Sequence, residues 1–350
     1  MNASKAVQDF LKDWEEEKEK KIKIAFFGQP GAGKSSLINE LVGRKVSETS
    51  NLTDTTKEAQ IINHNGVVYI DLPGYDTSKF PKNDFFSTFD PLQYDLFICV
   101  FSGKLHKADS RFFKLLKKEN RICLFVRNKA DSIYDEVKTI EESKLEIIED
   151  VKTQVGNEVE VLFTSCRKSI PLFKRGIIEL QEKILTKLEP AEKDKFIRSA
   201  GAYTRDFLIK KKESSQWHLK KAMMQAAANG LNPIFGVDIG IDATIMSVMY
   251  ANIRETFDIT PKELDNPKFK GPMVELINMG LKKENIIKGI KLALSEELTK
   301  KMSKYIPLIG QVLAMSVSAG SMYFLGLEYL DACYDFAKQK MEIELKENEN

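Results

Sequence analysis

The chain has 350 residues, which is enough for two domains because single hydrophobic cores stop growing near about 250–300 residues. Charged residues make up 30% of it but the formal net charge is only +2, so no nucleic acid is expected as a partner. Its four cysteines show no C-x-x-C spacing, which argues against a zinc knuckle or a redox pair and favours reduced thiols in a cytoplasmic protein.

The first twenty residues combine a short apolar stripe with a strongly charged end. Val7, Phe10, Leu11 and Trp14 recur at helical spacing, and a run of acidic and basic residues follows them. We expect an N-terminal helix over residues 1–20 that packs on the helical domain. A membrane-facing amphipathic anchor is the alternative, and the acidic character of the polar side argues against it.

A strand, a glycine-rich turn and a helix follow in residues 21–41. Residues 28–35 match G-x-x-x-x-G-K-[ST] at every fixed position, directly after an apolar strand. Glycines let the backbone curl so that N–H groups point at phosphate oxygens, and the next helix aims its positive end there. The pattern predicts that Lys34 reaches the β- and γ-phosphates and that Ser35 ligates Mg²⁺. The predicted phosphate-binding residues are Gly28, Gln29, Pro30, Gly31, Ala32, Gly33, Lys34, Ser35 and Ser36.

The next polar segment, residues 47–56, lacks periodicity and predicts a mobile loop that ends in two threonines. In nucleotide switches a threonine at this place completes the Mg²⁺ shell and senses the γ-phosphate. We favour Thr56 for that role and place Thr55 second.

A hairpin leads to the second phosphate-sensing motif. The turn Asn65-Gly66 joins two antiparallel strands, and the second strand ends in the D-x-x-G pattern of Asp71 and Gly74. A carboxylate at a strand end holds Mg²⁺ through water, and the glycine offers its backbone N–H to a γ-phosphate. The predicted metal ligands are Ser35, Thr56 and Asp71, and the residues predicted to act in catalysis are Lys34, Ser35, Thr56 and Gly74.

Tyr75 occupies the position after Gly74, where small switch GTPases usually place a water-orienting glutamine. A tyrosine cannot orient water in the same way, and no other side chain in the sequence is an evident general base. Hydrolysis is therefore expected to be slow in the isolated chain, or to depend on a group from a partner. The alternative is that Tyr75 only packs.

An N-K-x-D motif after a buried strand predicts selection of the base. Asp131 accepts from the ring N–H and the exocyclic amine of guanine, two contacts that adenine cannot offer. Asn128 braces the loop, and the stem of Lys129 lies along the base. Ser165 and Cys166 complete the set, because the turn after the last predicted strand lends a backbone N–H to the guanine oxygen. The predicted cofactors are GTP or GDP with Mg²⁺.

The order of these motifs predicts an α/β fold, a P-loop GTPase domain with a mostly parallel twisted sheet, plus an all-α helical domain. We expect the GTP-binding G domain over residues 21–188 and the helical domain over residues 189–350. Beyond Pro190 only helical periodicity is found, punctuated by prolines. Helices are predicted over residues 194–229, 237–257, 273–279, 284–304 and 307–346.

One segment raises the question of a membrane. Residues 306–327 carry no charge and reach spanning length, although serines, glycines and a glutamine dilute them. We expect a buried core helix here, with membrane insertion as the alternative. A membrane-shaping protein in which residues 217–224 or 306–327 insert is a further alternative, supported by ten lysines against six acidic residues over 262–304.

Longer segments resemble the immunity-related GTPases, the interferon-inducible type within the dynamin-like group. DLPGYDTSKFPKNDFFSTFDPLQYDLFICVFS (residues 71–102) is similar to that family's D-L-P-G…F-P…Y-D-F-F-I pattern. FVRNKADSIYDE (125–136) resembles its F-V-R-T-K-x-D-S-x-x-x-x-E segment, and NPIFGVDIGIDATI (232–245) its P-x-P-G-x-x-x-x-x-D helix start. Residues 306–337 resemble its I-P-x-x-G…Y-x-x-L-x-x-x-L-D helix, so the resemblance covers nearly the whole chain.

The resemblance implies a G domain flanked by a helical domain on which the N-terminal helices pack. It implies GTP-dependent self-association into a dimer or oligomer across the nucleotide face, with cooperative hydrolysis of GTP to GDP and phosphate. It also implies that a cytoplasmic protein attaches transiently to internal or vacuolar membranes in cell-autonomous immunity. A slow-turnover, GTP-gated switch that recruits an effector, with no membrane or immune role, is the alternative.

Overall fold

A computed structural model gives the structure of the protein and describes residues 12, 20–47, 59–73, 89–229, 238–293 and 317–349. The chain divides into two compact units, one over residues 21–203 and the other from residue 204 onwards. The predicted N-terminal helix over residues 1–20 lies outside the described residues, except for its residues 12 and 20.

The first unit is built on a six-stranded sheet with the strand order β2-β3-β1-β4-β5-β6. The strands are β1 (Ile22–Phe27), β2 (Gln60–His64), β3 (Val67–Asp71), β4 (Leu96–Phe101), β5 (Cys123–Arg127) and β6 (Val161–Phe163). Only the β2–β3 pair is antiparallel; the other four neighbouring pairs are parallel. The predicted mostly parallel sheet is confirmed.

Central strands of this sheet are mostly apolar and buried, because helices cover both faces of a parallel sheet. Every residue of β4 is buried, and β1 is buried except for Lys23. The helices of this unit are α1 (Lys34–Val42), α2 (Lys107–Lys118), α3 (Ile140–Val155), α4 (Ile177–Lys187) and α5 (Pro190–Ser199). α3 begins with a capping box, in which Thr139 and Glu142 bond each other's backbone N–H groups.

Aromatic rings fill the core between β1, β4 and α2. Phe27 and Phe112 meet edge to face with centroids 4.5 Å apart, and Phe97 lies 6.0 Å from Phe112 in a similar orientation. Such edge-to-face pairs add to the hydrophobic gain from burial. This core holds α2 against the sheet directly below the glycine-rich turn.

The helix α5 belongs to the first unit, which extends past the predicted boundary at residue 188. Phe196 is fully buried, and the Ser199 hydroxyl lies 2.8 Å from the hydroxyl of Tyr69 on β3. The prediction of one helix over residues 194–229 is wrong, because the chain leaves helical geometry at Ala200. The next helix starts after Thr204, whose hydroxyl accepts from the N–H of Phe207.

The second unit is helical throughout its described residues, which confirms the predicted all-α domain. Its helices are α6 (Arg205–Asn229), α7 (Asp238–Thr256), α8 (Pro261–Leu264), α9 (Pro272–Met279), α10 (Lys283–Ala293) and α11 (Val317–Glu349). Tyr250 of α7 stacks on Tyr329 of α11 with centroids 3.7 Å apart, and Arg254 donates to the Tyr329 hydroxyl at 2.7 Å. This stack joins two helices that are far apart in the chain.

Within the described residues, none of the helices combines the length and the apolar character needed to cross a membrane. Of residues 306–327, only 317–327 are described. The two alternatives for that segment therefore stay predictions.

Candidate nucleotide-binding site

The glycine-rich turn joins the end of β1 to the start of α1. Gly28, Gly31 and Gly33 have φ angles of 131°, 77° and 91°, a region that favours glycine. A Cβ at Gly28 would lie 2.0 Å from the carbonyl oxygen of Val100, and one at Gly33 would lie 2.4 Å from Nδ2 of Asn128. The backbone therefore curls closely around a space that faces the N-terminus of α1, as phosphate binding requires.

Lys34, the first residue of α1, is buried beneath this turn. Its Nζ donates to the Gly28 carbonyl at 3.3 Å and lies 3.6 Å from Oδ1 of Asp71. The ammonium is thus held inside the turn by its own loop and by a carboxylate. Pro30 and Gly31 lie exposed at the tip of the turn, and Ser36 is half-buried in the first turn of α1.

Ser35 and Asp71 form the part of the site suited to a cation. The parallel register sets Phe26 of β1 opposite Asp71 of β3, so the carboxylate reaches the start of α1. The Ser35 hydroxyl donates to Oδ2 of Asp71 at 2.5 Å. Asp71 is 1% exposed, and within the described part of the chain its Oδ1 accepts no hydrogen bond.

A buried carboxylate oxygen that accepts no hydrogen bond lowers the stability of the fold unless a cation binds it. The Oδ1 atom of Asp71 therefore fits a divalent cation. A serine hydroxyl beside a carboxylate is also a set of hard oxygen donors that Mg²⁺ prefers. The structure therefore brings together two of the three predicted metal ligands, Ser35 and Asp71. The third, Thr56, lies outside the described residues, as do Thr55, Gly74 and Tyr75.

Gln29 projects from the same turn towards α2. Its Nε2 lies 3.4 Å from Oδ2 of Asp109 and 3.4 Å from the Lys104 carbonyl. Burial raises the pKa of the Asp109 carboxyl above its ordinary value. Asp109 was not singled out from the sequence, and its only signal is an acidic residue in the first turn of a helix.

Asn128 connects the phosphate-binding turn with the loops that follow β5 and β6. Its Nδ2 donates to the Ala32 carbonyl at 2.9 Å, and its Oδ1 accepts from the Thr164 hydroxyl at 3.1 Å. The backbone of Lys129 is left-handed with φ 55°, an unusual conformation for a residue with a side chain. This geometry matches a loop that is braced by Asn128 and turned sharply at Lys129.

Asp131 is held in place by two side chains of the next loop. Ser165 Oγ donates to Oδ1 at 2.5 Å, and Nη1 of Arg167 lies 3.5 Å from Oδ2. The Ser165 N–H donates to the Arg175 carbonyl at 2.9 Å and so is not available to a base oxygen. The N–H of Cys166 donates to no acceptor among the described residues, in contrast to the N–H of Ser165.

The Cys166 thiol lies beside the same loops, with Sγ 3.6 Å from Oδ1 of Asn128. Burial, followed by the nearby carboxylate of Glu40, raises the pKa of this thiol to about 12. The thiol therefore stays protonated at neutral pH and contributes as a small packing group.

Two buried charged residues near this loop were not predicted from the sequence. Glu40 of α1 and Arg175 of the loop before α4 form an ion pair at 2.6 Å. No motif marks either residue. The one available signal is that Glu40 follows Leu37 at a spacing of three, on the apolar side of α1.

Comparison with known proteins agrees with this geometry. Residues 23–129 match the family model described as 50S ribosome-binding GTPase. Interferon-gamma-inducible GTPase 10 of Mus musculus is 22% identical over 340 residues, covering 91% of this chain and 80% of that protein. A probable GTP-binding protein EngB of Clostridium kluyveri is 30% identical over 166 residues, covering 43% of this chain and 81% of that protein.

Further mouse relatives are matched over a smaller share of their length, so that the chain spans between 53% and 59% of them. Among solved structures, Era of Aquifex aeolicus bound to GDP and AlF4⁻ is 21% identical. The match covers 57% of this chain and 68% of that chain, with a TM-score of 0.38. The chain belongs to the P-loop GTPases, and the relatives that it matches along most of its length confirm its resemblance to the immunity-related GTPases.

Proposed function

We propose that this protein binds GTP with Mg²⁺, hydrolyses it to GDP and phosphate, and changes between monomer and dimer or oligomer with the bound nucleotide. The observation that best supports the proposal is the buried group formed by Lys34, Ser35 and Asp71 at the phosphate-binding turn. Asn128 links that group to the loop bearing Asp131, so phosphate and base contacts belong to one pocket.

Each residue has a distinct part in this proposal. Bound Mg²⁺ neutralises charge on the β- and γ-phosphate oxygens. Ser35 would hold the cation directly, and Asp71 would hold it through water. Lys34 would exchange its contact with the Gly28 carbonyl for phosphate oxygens. Asp131 would accept from the two N–H groups of guanine while Cys166 donates its backbone N–H to the base oxygen.

Hydrolysis requires a water held in line with the γ-phosphate. We propose that Thr56 and Gly74 order around the γ-phosphate. We further propose that self-association supplies the group that orients the attacking water, because Tyr75 cannot do so as a glutamine would. Turnover per molecule should then rise with protein concentration. A flat specific activity would instead support the slow-turnover switch, which the tyrosine after Gly74 favours.

The face proposed for self-association carries exposed aromatic side chains. Tyr134, after the β5 loop, is 83% exposed, and Phe173, after the β6 loop, is 67% exposed. Both loops follow the carboxyl ends of parallel strands, the end of such a sheet where ligands usually bind, and this supports the proposed face. Exposed aromatic residues are frequent anchors of protein–protein interfaces.

We further propose that the protein is cytoplasmic and attaches peripherally to internal or vacuolar membranes in cell-autonomous immunity. This proposal rests on the resemblance to the immunity-related GTPases. Flotation with anionic liposomes, with GDP and with a non-hydrolysable GTP analogue, tests it. Recovery in the floating fraction only with the analogue would support it, and no recovery in either state would contradict it.

The central experiment measures molecular mass in solution with GDP and with a non-hydrolysable GTP analogue, in Mg²⁺. We expect a monomer with GDP and a dimer or larger species with the analogue. ATP should neither bind nor change the mass. The variant Lys34→Ala should lose binding of both guanine nucleotides, whereas Lys118→Ala, an exposed lysine at the end of α2, should retain it. Equal affinity for ATP and GTP would contradict the proposal.

A further inference from the structure

The ion pair between Glu40 and Arg175 lies between the two halves of the nucleotide site. Oε2 of Glu40 is 2.6 Å from Nη1 of Arg175, and Oε1 is 2.6 Å from Nζ of Lys168. Glu40 and Arg175 are both buried, whereas the Lys168 side chain is 73% exposed. Burying a charge pair costs desolvation free energy, and a hydrophobic pair would stabilise the fold equally well. Stability alone therefore does not explain why a charge pair lies here.

One end of this pair belongs to the helix that begins at the phosphate-binding turn. Glu40 lies six residues after Lys34 on α1. The Tyr203 hydroxyl donates to the Glu40 carbonyl, and the Gly201 N–H donates to the Leu41 carbonyl at 2.8 Å. These bonds hold the C-terminal end of α1, so the Glu40 carboxylate has a defined position relative to the phosphate site.

The other end belongs to the loop before α4, which is bonded to the turn over residues 164–166. The Arg175 carbonyl accepts from the Ser165 N–H at 2.9 Å, next to the N–H of Cys166. The following residue, Gly176, has φ 66°, and a Cβ there would lie 1.9 Å from the Phe163 carbonyl oxygen. The backbone of Arg175 is therefore packed against the strand end from which the turn over residues 164–166 emerges.

We propose that Glu40 and Arg175 are a positioning pair for guanine recognition. The pair holds the Arg175 backbone, which holds Ser165, and so sets the Cys166 N–H at the place of the base oxygen. This inference rests on the proposed function, because it assumes that the site binds a guanine nucleotide. Neither residue touches the nucleotide in this scheme, so both act through the turn.

The test compares the dissociation constants of GDP and 6-thio-GDP in the full-length protein with Mg²⁺. Sulfur is a weaker hydrogen-bond acceptor than oxygen, so the ratio of the two constants reports the donor at that position. We expect Glu40→Gln to weaken GDP binding about tenfold, in line with the loss of one charged hydrogen bond. In this variant the dissociation constant of 6-thio-GDP divided by that of GDP should fall towards one, because the Cys166 N–H is no longer held at the base oxygen.

Two further variants keep the result interpretable. Arg175→Lys retains the charge but replaces the guanidinium that contacts Glu40 through Nη1, so it should also lower the ratio. It serves as the second test of the pair should Glu40→Gln not fold. Lys168→Met removes only the exposed partner and should leave the ratio unchanged. A variant that weakens GDP and 6-thio-GDP equally would overturn the positioning role. A wild-type protein that binds neither nucleotide would instead overturn the proposed function.

Discussion

At the scale of single residues, the Asn128 side chain bonds two separate turns of the candidate site. Its amide bonds the phosphate-binding turn through Ala32 and the base-facing turn through Thr164. It is also buried, so removing it leaves polar groups of both turns without partners. The two turns are therefore joined through one side chain.

We predict that Asn128→Ala weakens GDP binding by about 10- to 100-fold, as expected for the loss of two buried hydrogen bonds. Titration with a fluorescent GDP analogue measures the effect. Asn63→Ala is the matched control, because Asn63 is exposed and its side chain accepts from Lys21 at the surface. Equal losses in the two variants would contradict a specific bridging role for Asn128.

The backbone at Gly28 leaves no room for a side chain. Because a Cβ there would lie 2.0 Å from a backbone oxygen of β4, Gly28→Ala must displace the turn or the strand. We predict a loss of about 1–3 kcal/mol in the free energy of unfolding, together with loss of GDP binding. Chemical denaturation and GDP titration measure the two effects.

Gly103→Ala provides the comparison, since a Cβ at that position meets nothing within 4 Å. It should leave both the unfolding free energy and GDP affinity within error of the wild type. A stable, GDP-binding Gly28→Ala protein would show that the turn adapts more than its geometry indicates.

At the scale of elements, β1, β4 and α2 are coupled through the aromatic packing of Phe27, Phe97 and Phe112. We predict that Phe112→Ala lowers the free energy of unfolding by about 3–5 kcal/mol, because it removes a fully buried ring from this core. Phe173→Ala removes a ring that is mostly exposed and should leave stability unchanged while weakening self-association with a GTP analogue. Denaturation curves and sedimentation separate the two outcomes.

Most of these elements were predictable because their signals are local. The alternation of apolar strands with motif-bearing loops predicted the parallel sheet, and Asn65-Gly66 predicted the antiparallel hairpin. The break after Ala200 was not predictable from periodicity, because it depends on a distant contact between Gly201 and the end of α1. The Glu40–Arg175 pair was missed for the same reason, since its residues are 135 positions apart.

The candidate site shows the same contrast between local signals and contacts of distant residues. Contiguous motifs identified Lys34, Ser35, Asp71 and Asn128, and the structure brings all four to one edge of the sheet. The motif alone did not reveal which N–H of the base-facing turn is available, because Ser165 donates its own to a residue ten positions later. The hydrogen bond from Ser165 to Arg175 appears only in the folded structure.

At the scale of the whole molecule, the first unit runs to residue 203 and so includes α5, beyond the predicted boundary at residue 188. The buried Phe196 and the bond from Ser199 to Tyr69 make α5 part of the sheet's cover. We therefore predict that a fragment of residues 21–203 unfolds cooperatively and is stabilised by GDP. Thermal unfolding with increasing GDP measures this.

The matched fragment of residues 21–188 lacks α5 and exposes the surface of β1 and β3 that this helix covers. It should unfold at a lower temperature and aggregate, because a sizeable apolar area is returned to water. Equal stability of the two fragments would place the end of the G domain at residue 188.

The raised pKa of the Cys166 thiol has a consequence for how the loop after β6 withstands chemical damage. Alkylating agents and hydrogen peroxide react with thiolates, and a thiol whose pKa is about 12 is almost entirely protonated at pH 7. Although Cys166 is only half-buried, its thiol should therefore resist iodoacetamide and peroxide in the folded protein. Labelling followed by mass spectrometry should find Cys166 unmodified until denaturant is added.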